Sequence, residues 1–198
     1  MKLYDLDVSG NCYKIRLLLS FIGRDCEFYP MDFMGGEHMS DSFMAINPMH
    51  DIPVLEDGDI TLRDSQAILV YLANKYGGDA WALTSPEELS CVMQWLSNAA
   101  NDVARGPNDA RLHDKFGFDI DVELARNKSH EILQVIDNHL ADKEWLALGR
   151  PTIADIACFP YIGLSHEGGV SLVQYPSILK WIDRIKTLPG FITMPGLA

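Results

Sequence analysis

Between Asn47 and Leu72 the chain reads NPMHDIPVLEDGDITLRDSQAILVYL, a run that leaves little freedom to the fold around it. Pro53 has no N–H, so it belongs at the first residue of a strand or on an edge, not in the middle of a sheet. Asp57-Gly58, between Val54-Leu55 and Ile60-Leu62, is a hairpin signal because glycine accepts φ > 0 at no steric cost. Ser65 then reads as the cap of a helix that carries Ala67, Ile68, Tyr71 and Leu72 at helical spacing.

The residues before this run alternate in the same way. Leu3-Tyr4 starts a strand, residues from about Asn11 to Ile22 read as a helix with Ile15, Leu18, Leu19 and Ile22 apolar, and a strand follows near Glu27–Met31. A βαβ unit followed by a ββα unit predicts a small mixed sheet of four strands with helices packed on it. Gly77-Gly78 and Ser85-Pro86 read as a helix end, a linker and a helix entry. Beyond them no segment alternates like a strand. Helices are expected near 87–104, 119–141, 152–165 and 176–187. Thr152-Ile153-Ala154-Asp155 resembles a capping box in which Asp replaces the usual Glu. The expected organisation is an α/β domain over 1–76, a linker over 77–86 and an all-α domain over 87–198.

With 16 basic and 28 acidic residues, the net charge of −12 argues against nucleic acid or an anionic membrane surface as a partner. The apolar run Ile15–Ile22 is short and broken by Arg16, so it is no membrane span. Cys12, Cys26, Cys91 and Cys158 form no CxxC pair, and the six histidines form no HExxH. No metal site is expected, and a cytoplasmic protein with reduced thiols is the reading that follows.

Three ligand-holding groups fall within the opening segment. A cis bond before Pro53 would leave the Ile52 N–H and C=O facing outward, free to pair with an extended peptide. Asp64 offers a carboxylate, and Ser65 offers a hydroxyl and an amide at a helix N-terminus, which favours an anionic group. Together they suit a small peptide with both amine and carboxylate ends.

An α/β sheet domain followed by an all-helical one, with these residues in this order, resembles the glutathione S-transferase superfamily over nearly the whole chain. GGEHMSDSFMAINPMHDIPVLEDGDITLRDSQAILVYL looks most like the theta class, SGNCYKIR is similar to theta and zeta members, and WLALGRPTIADIA and YPSILKWIDRIKTLPGF look like the capping-box and final helices of the superfamily. The resemblance implies a thioredoxin-like first domain, a cis bond before Pro53, and glutathione as co-substrate with no other cofactor. It implies that Ile52 and Pro53 present backbone to the cysteinyl part and that Asp64 and Ser65 hold the γ-glutamyl end. His38 would stand near the glycyl end, and Ser9 would hydrogen-bond the sulfur. In a homodimer, with Leu89, Val92, Met93 and Leu96 near the two-fold, Asp102 would reach the partner subunit's ligand. Asp51 departs from the Lys or Gln of theta and zeta relatives and would repel a glycyl carboxylate unless it points away and His38 or His50 takes over.

Conjugation of glutathione to hydrophobic electrophiles is the activity so implied. Two other readings fit the same residues. Cys12, three residues after Ser9, could make the protein a thiol transferase or isomerase, although cysteine at such a position often packs as a small apolar residue. Asp51 would suit a noncatalytic interaction module that keeps the fold.

Overall fold

The computed structural model of the protein describes residues 1–197. Strand β1 (Lys2–Asp5) runs into helix α1 (Gly10–Phe21) and strand β2 (Glu27–Pro30). A 3₁₀ turn (Glu37–Met39) and a short helix α2 (Asp41–Met44) lead to the hairpin β3 (Val54–Asp57) and β4 (Ile60–Arg63), and helix α3 (Ser65–Tyr76) follows. The sheet order is β2-β1-β3-β4, with β1 parallel to β2 and antiparallel to β3, and β3 antiparallel to β4. The expected βαβ and ββα units thus share one mixed four-stranded sheet. Pro53 immediately precedes the first residue of β3, where its missing N–H breaks no ladder bond, and the Ile52–Pro53 bond is cis.

The rest of the chain is helical: α4 (Gly78–Trp81), α5 (Pro86–Ala100), a π-helical turn (Ala104–Asn108), α6 (Asp109–Phe116), α7 (Val122–Leu140), α8 (Ile153–Gly163) and α9 (Pro176–Lys186). Two expectations need correction. The helix expected to run to 104 stops at Ala100, and a further helix, α6, occupies residues that carried no assignment. Gly106-Pro107 reads in sequence as a break. In the fold Pro107 sits inside the π turn, and a Cβ on Gly106 would lie 2.9 Å from the Ser129 amide nitrogen. Glycine there lets the turn close against α7, so the chain bends and resumes as a helix.

The two parts share one apolar core. Helices α1 and α3 pack on α8, and residues beyond α9 return to α1, where Tyr13 Oη donates to Ile192 O (2.5 Å) and Ser20 Oγ to Gly190 O (2.6 Å). The capping box is present as expected. Asp155 Oδ2 accepts from Thr152 N (2.9 Å) and Thr152 Oγ1 (3.2 Å), while Oδ1 accepts from Leu146 N (3.0 Å) and Trp181 Nε1 (2.9 Å). No helix among the described residues is long and apolar enough to cross a membrane.

Burial outweighs those four donors and pushes the Asp155 carboxyl up to about 6. The folded state therefore holds this proton more tightly than the unfolded chain, where aspartate titrates near 3.9. Stability from this group is greatest below pH ~4, falls as pH rises to about 6, and is flat above, a loss of up to about 3 kcal/mol. Unfolding free energies from urea titrations should show wild type losing up to about 3 kcal/mol relative to Asp155→Asn as pH rises across that range. Parallel pH curves for the two proteins would contradict it.

Candidate active site

Helix α1 begins at the edge where the sheet unit meets the helical unit, and Ser9 is its N-cap. Its φ/ψ of −80/119 are extended, as a cap requires, and Ser9 Oγ accepts from the Cys12 N–H at 3.3 Å. The Ser9 side chain also lies within hydrogen-bonding reach of the Tyr161 hydroxyl and the Cys12 thiol. The Gly10 N–H has no partner among the described residues. The unpartnered Gly10 N–H at the positive end of a twelve-residue helix makes a place for an anion.

The loop that delivers Ser9 is pinned at three successive carbonyls. Arg16 donates to Leu6 O (3.4 Å) and Asp7 O (2.9 Å) and is itself held by Asp5 (2.5 and 2.7 Å). Arg111, only 2% exposed on α6, crosses from the helical unit to donate to Val8 O at 3.0 Å, and is anchored by Glu167 at 2.5 Å. Tyr161 of α8 makes the second crossing. Its Oη accepts the Asn11 N–H at 3.2 Å, and its ring lies so close to Gly10 that a Cβ there would stand 2.6 Å from Cε1. Burial raises the Tyr161 hydroxyl well above the ordinary tyrosine value, so it stays protonated.

At the start of α3 the roles of two residues differ from the sequence expectation. Asp64, not Ser65, is the N-cap: at φ 70, ψ 122 its Oδ1 accepts from Gln66 N (2.9 Å) and Ala67 N (3.0 Å). A carboxylate with a short side chain reaches two orphan amides at once, which the serine one residue on cannot do from within the helix. Ser65 is the first helical residue and is buried, and its Oγ donates to Asn11 Oδ1 (3.3 Å) and to Gln66 Oε1. Its N–H has no partner among the described residues. Asp64 Oδ2 likewise remains open.

Ile52 contributes an N–H and C=O without partners among the described residues, next to buried Pro53. His38 stacks on Phe33 (centroids 3.8 Å apart, planes 8° apart), and both His38 and His50 keep a buried Nδ1 without a partner. Asp51 is tied back instead: Asn47, fully buried, donates to its Oδ1 (2.6 Å) and to its carbonyl (2.8 Å). Asp102 stands apart. It accepts from Asn98 (2.7 Å) and Asn101 (3.2 Å) in a groove with Arg105, Lys128 and Glu131, and no hydrogen bond joins it to Ser9 or Ser65.

Cys12 is fully buried on the inner face of α1, and burial pushes its thiol up to about 12. A thiol so placed is neither ionised nor reachable at neutral pH. The sequence alone singled out neither Asn11 nor Tyr161. The contacts that give them a part come from residues far away in sequence. A cavity of about 680 Å³ lies elsewhere, between Trp95 on α5 and the Asp142–Gly149 loop. Among the described residues no group of His, Cys, Asp and Glu could hold a metal ion.

The N-terminal family model for glutathione S-transferases matches residues 3–80, and the C-terminal one matches residues 113–189. A glutathione S-transferase of Pseudomonas fluorescens is 30% identical, with a TM-score of 0.92 and 98% of each chain covered. The chain belongs to the glutathione S-transferase family. Glutathione S-transferase 3 of Zea mays is 28% identical over 96% of this chain and 91% of the maize protein. A glutathione transferase of Phanerochaete chrysosporium, solved with oxidized glutathione, is 25% identical with a TM-score of 0.87, covering 96% of this chain and 91% of that one.

For this transferase the closeness of Gly10 to Tyr161 makes a direct test. Gly10→Ala must push the ring or the helix aside, so it should lower stability by about 1–3 kcal/mol. Displacing Ser9 should also cost about ten- to a hundredfold in kcat/KM for a glutathione-consuming reaction. Thermal melts and steady-state rates check both, and a variant with wild-type values would show that the approach is not tight.

Proposed function

We propose that the protein conjugates reduced glutathione to hydrophobic electrophiles, with Ser9 stabilising the thiolate. Support for this reading comes foremost from one observation: Ser9 caps the N-terminus of α1 next to Gly10, whose N–H has no partner among the described residues. Ser65 supports it further, because its link through Asn11 ties the γ-glutamyl end to the sulfur end. In this reading Ile52 pairs with the cysteinyl backbone. Ser65, through its N–H, and Asp64, through Oδ2, hold the γ-glutamyl carboxylate and ammonium. His38 and His50 serve the glycyl carboxylate, which Asp51, turned toward Asn47, does not oppose. Asn11, with its amide N–H₂ edge, joins Ser9 as a donor to the sulfur.

The chemistry asks for such donors. A thiol of pKa near 8.5 is only about 3% thiolate at pH 7. Lowering it by about two units raises that fraction about 25-fold, while intrinsic nucleophilicity falls roughly 6–10-fold. The net gain is a few-fold, so most of the acceleration rests on holding the electrophile beside the sulfur. The helical unit supplies the apolar wall for that electrophile. The burial of Cys12 favours Ser9 over the cysteine-centred transferase or isomerase. A homodimer in which Asp102 reaches the partner subunit's ligand, a cytoplasmic location and a division into residues 1–76 and 87–198 joined by 77–86 belong to the same reading.

Calorimetric titration of reduced glutathione at pH 7 should give micromolar to low-millimolar affinity, and Ser65→Ala, which keeps the N–H but loses the Oγ bonds to Asn11 and Gln66, should weaken it about two- to tenfold. Ser9→Ala should bind within a few-fold of wild type yet lose about tenfold or more in kcat with an aromatic halide, since charge-assisted hydrogen bonds are the stronger kind. Wild type that binds nothing at several millimolar would replace the enzyme by the noncatalytic module.

A further inference from the structure

Lys14 is the one lysine among the fully buried side chains, and no carboxylate lies within ion-pair distance of it among the described residues. Its Nζ donates to Asn11 Oδ1 at 2.8 Å and stands 5.2 Å from the centre of the Tyr161 ring. The titratable groups around it are Cys12 on its own helix, Cys158 and Tyr161 on α8, and Asp64 at the start of α3. A buried ammonium without an ionic partner is costly, and an apolar side chain of the same size is often neutral or stabilising in such a place. A strongly perturbed buried charge on the helix that Ser9 caps is a candidate functional group.

We propose that Lys14 is a positioning residue for the glutathione sulfur: it holds Asn11 Oδ1 inward, so that the Asn11 N–H₂ edge faces the sulfur beside Ser9. The assignment rests on the glutathione reading above and adds to it the group that orients one donor. Its logic is one of donors and acceptors. An ammonium carries three donors and no acceptor, so the amide atom it meets must be the oxygen. Ser65 Oγ approaches the same Oδ1 at 3.3 Å, but its single proton is shared with Gln66 Oε1, so the choice rests on Lys14. No described residue accepts from Asn11 Nδ2, which leaves that edge to the ligand.

The orientation depends on the proton. A neutral amine has a lone pair and could accept from Nδ2, so the amide would no longer be forced to point outward. Burial brings Lys14 down from the usual lysine range to about 8. Below that pH the ammonium fixes the amide; as pH rises through it, the constraint is lost.

The test is an ultraviolet difference titration of the bound glutathione thiolate in wild type, Lys14→Met and Lys14→Gln, with S-methylglutathione affinity measured alongside. Methionine keeps the apolar stem and has no donor. Glutamine offers both a donor and an acceptor and so does not dictate the flip. Either variant should lower the thiolate-to-thiol ratio at a given pH by about tenfold, the strength of one hydrogen bond to a charged group. Affinity for S-methylglutathione, which has no thiol to ionise, should stay within about threefold. In an Asn11→Ala background, Lys14→Met should add nothing further. The glutamine variant carries the test if the methionine one fails to accumulate. A wild-type thiol pKa in both folded variants would overturn the assignment while leaving the transferase reading intact. A wild type that binds no glutathione would overturn that reading, and this assignment with it.

Discussion

The helical unit reaches across to the N-terminus of α1 at two points, and the geometry of the site depends on them. Tyr161 lays its ring against the bare backbone of Gly10 and accepts the Asn11 N–H, while Arg111 donates to Val8 O. Each contact joins a residue of the first helix or its entry loop to one at least a hundred positions later. A serine at the end of a loop would otherwise sample several rotamers and backbone positions, and the entropy of fixing it would have to be met during the reaction. Here it is met during folding. Arg16, held by Asp5, does the same from within the sheet unit, so Leu6, Asp7 and Val8 are bound by two guanidinium groups from opposite sides.

The same packing separates the two candidate nucleophile-handling groups. On a helix whose inner face is pressed against α8, Cys12 turns into the core and its thiol is driven up by burial, whereas Ser9 stays half-exposed at the cap. The charge pattern follows similar lines. The chain carries −12 overall, yet Lys14, Arg16 and Arg111 converge on the N-terminal end of α1. Arg16 is neutralised by Asp5 and Arg111 by Glu167, so the positive charge left without an ionic partner there is that of Lys14.

Much of this was legible in the sequence where the signal was local. Asp57-Gly58 placed the β3–β4 hairpin, Pro53 marked the start of β3, and Thr152 with Asp155 marked the start of α8. The α6 helix was not legible, because Gly106-Pro107 carries the signature of a break and only the approach to Ser129 shows why the chain recovers. The capping role of Asp64 was hidden for a related reason: serine and aspartate are both good caps, and the choice depends on a positive φ that the sequence does not display. The partner of Asp51 was not legible either, since nothing in its neighbours announces that Asn47 is buried and donates to it. Arg111 and Tyr161 lie in unremarkable helical stretches. Their parts arise from contacts across the whole chain, which periodicity cannot report.

The central claim is that the Ser9 loop is held from across the boundary between the two units. Amide hydrogen exchange at Ser9, Asn11 and Cys12, the hydrogen-bonded amides of residues 6–12, tests this in wild type and in Arg111→Met. The account predicts slow exchange in wild type and exchange at least about tenfold faster in the variant, the loss expected when one buried hydrogen bond is removed, with β3 unchanged. Equal protection of these three amides in both proteins would contradict it and would leave the loop's order to the sheet unit alone.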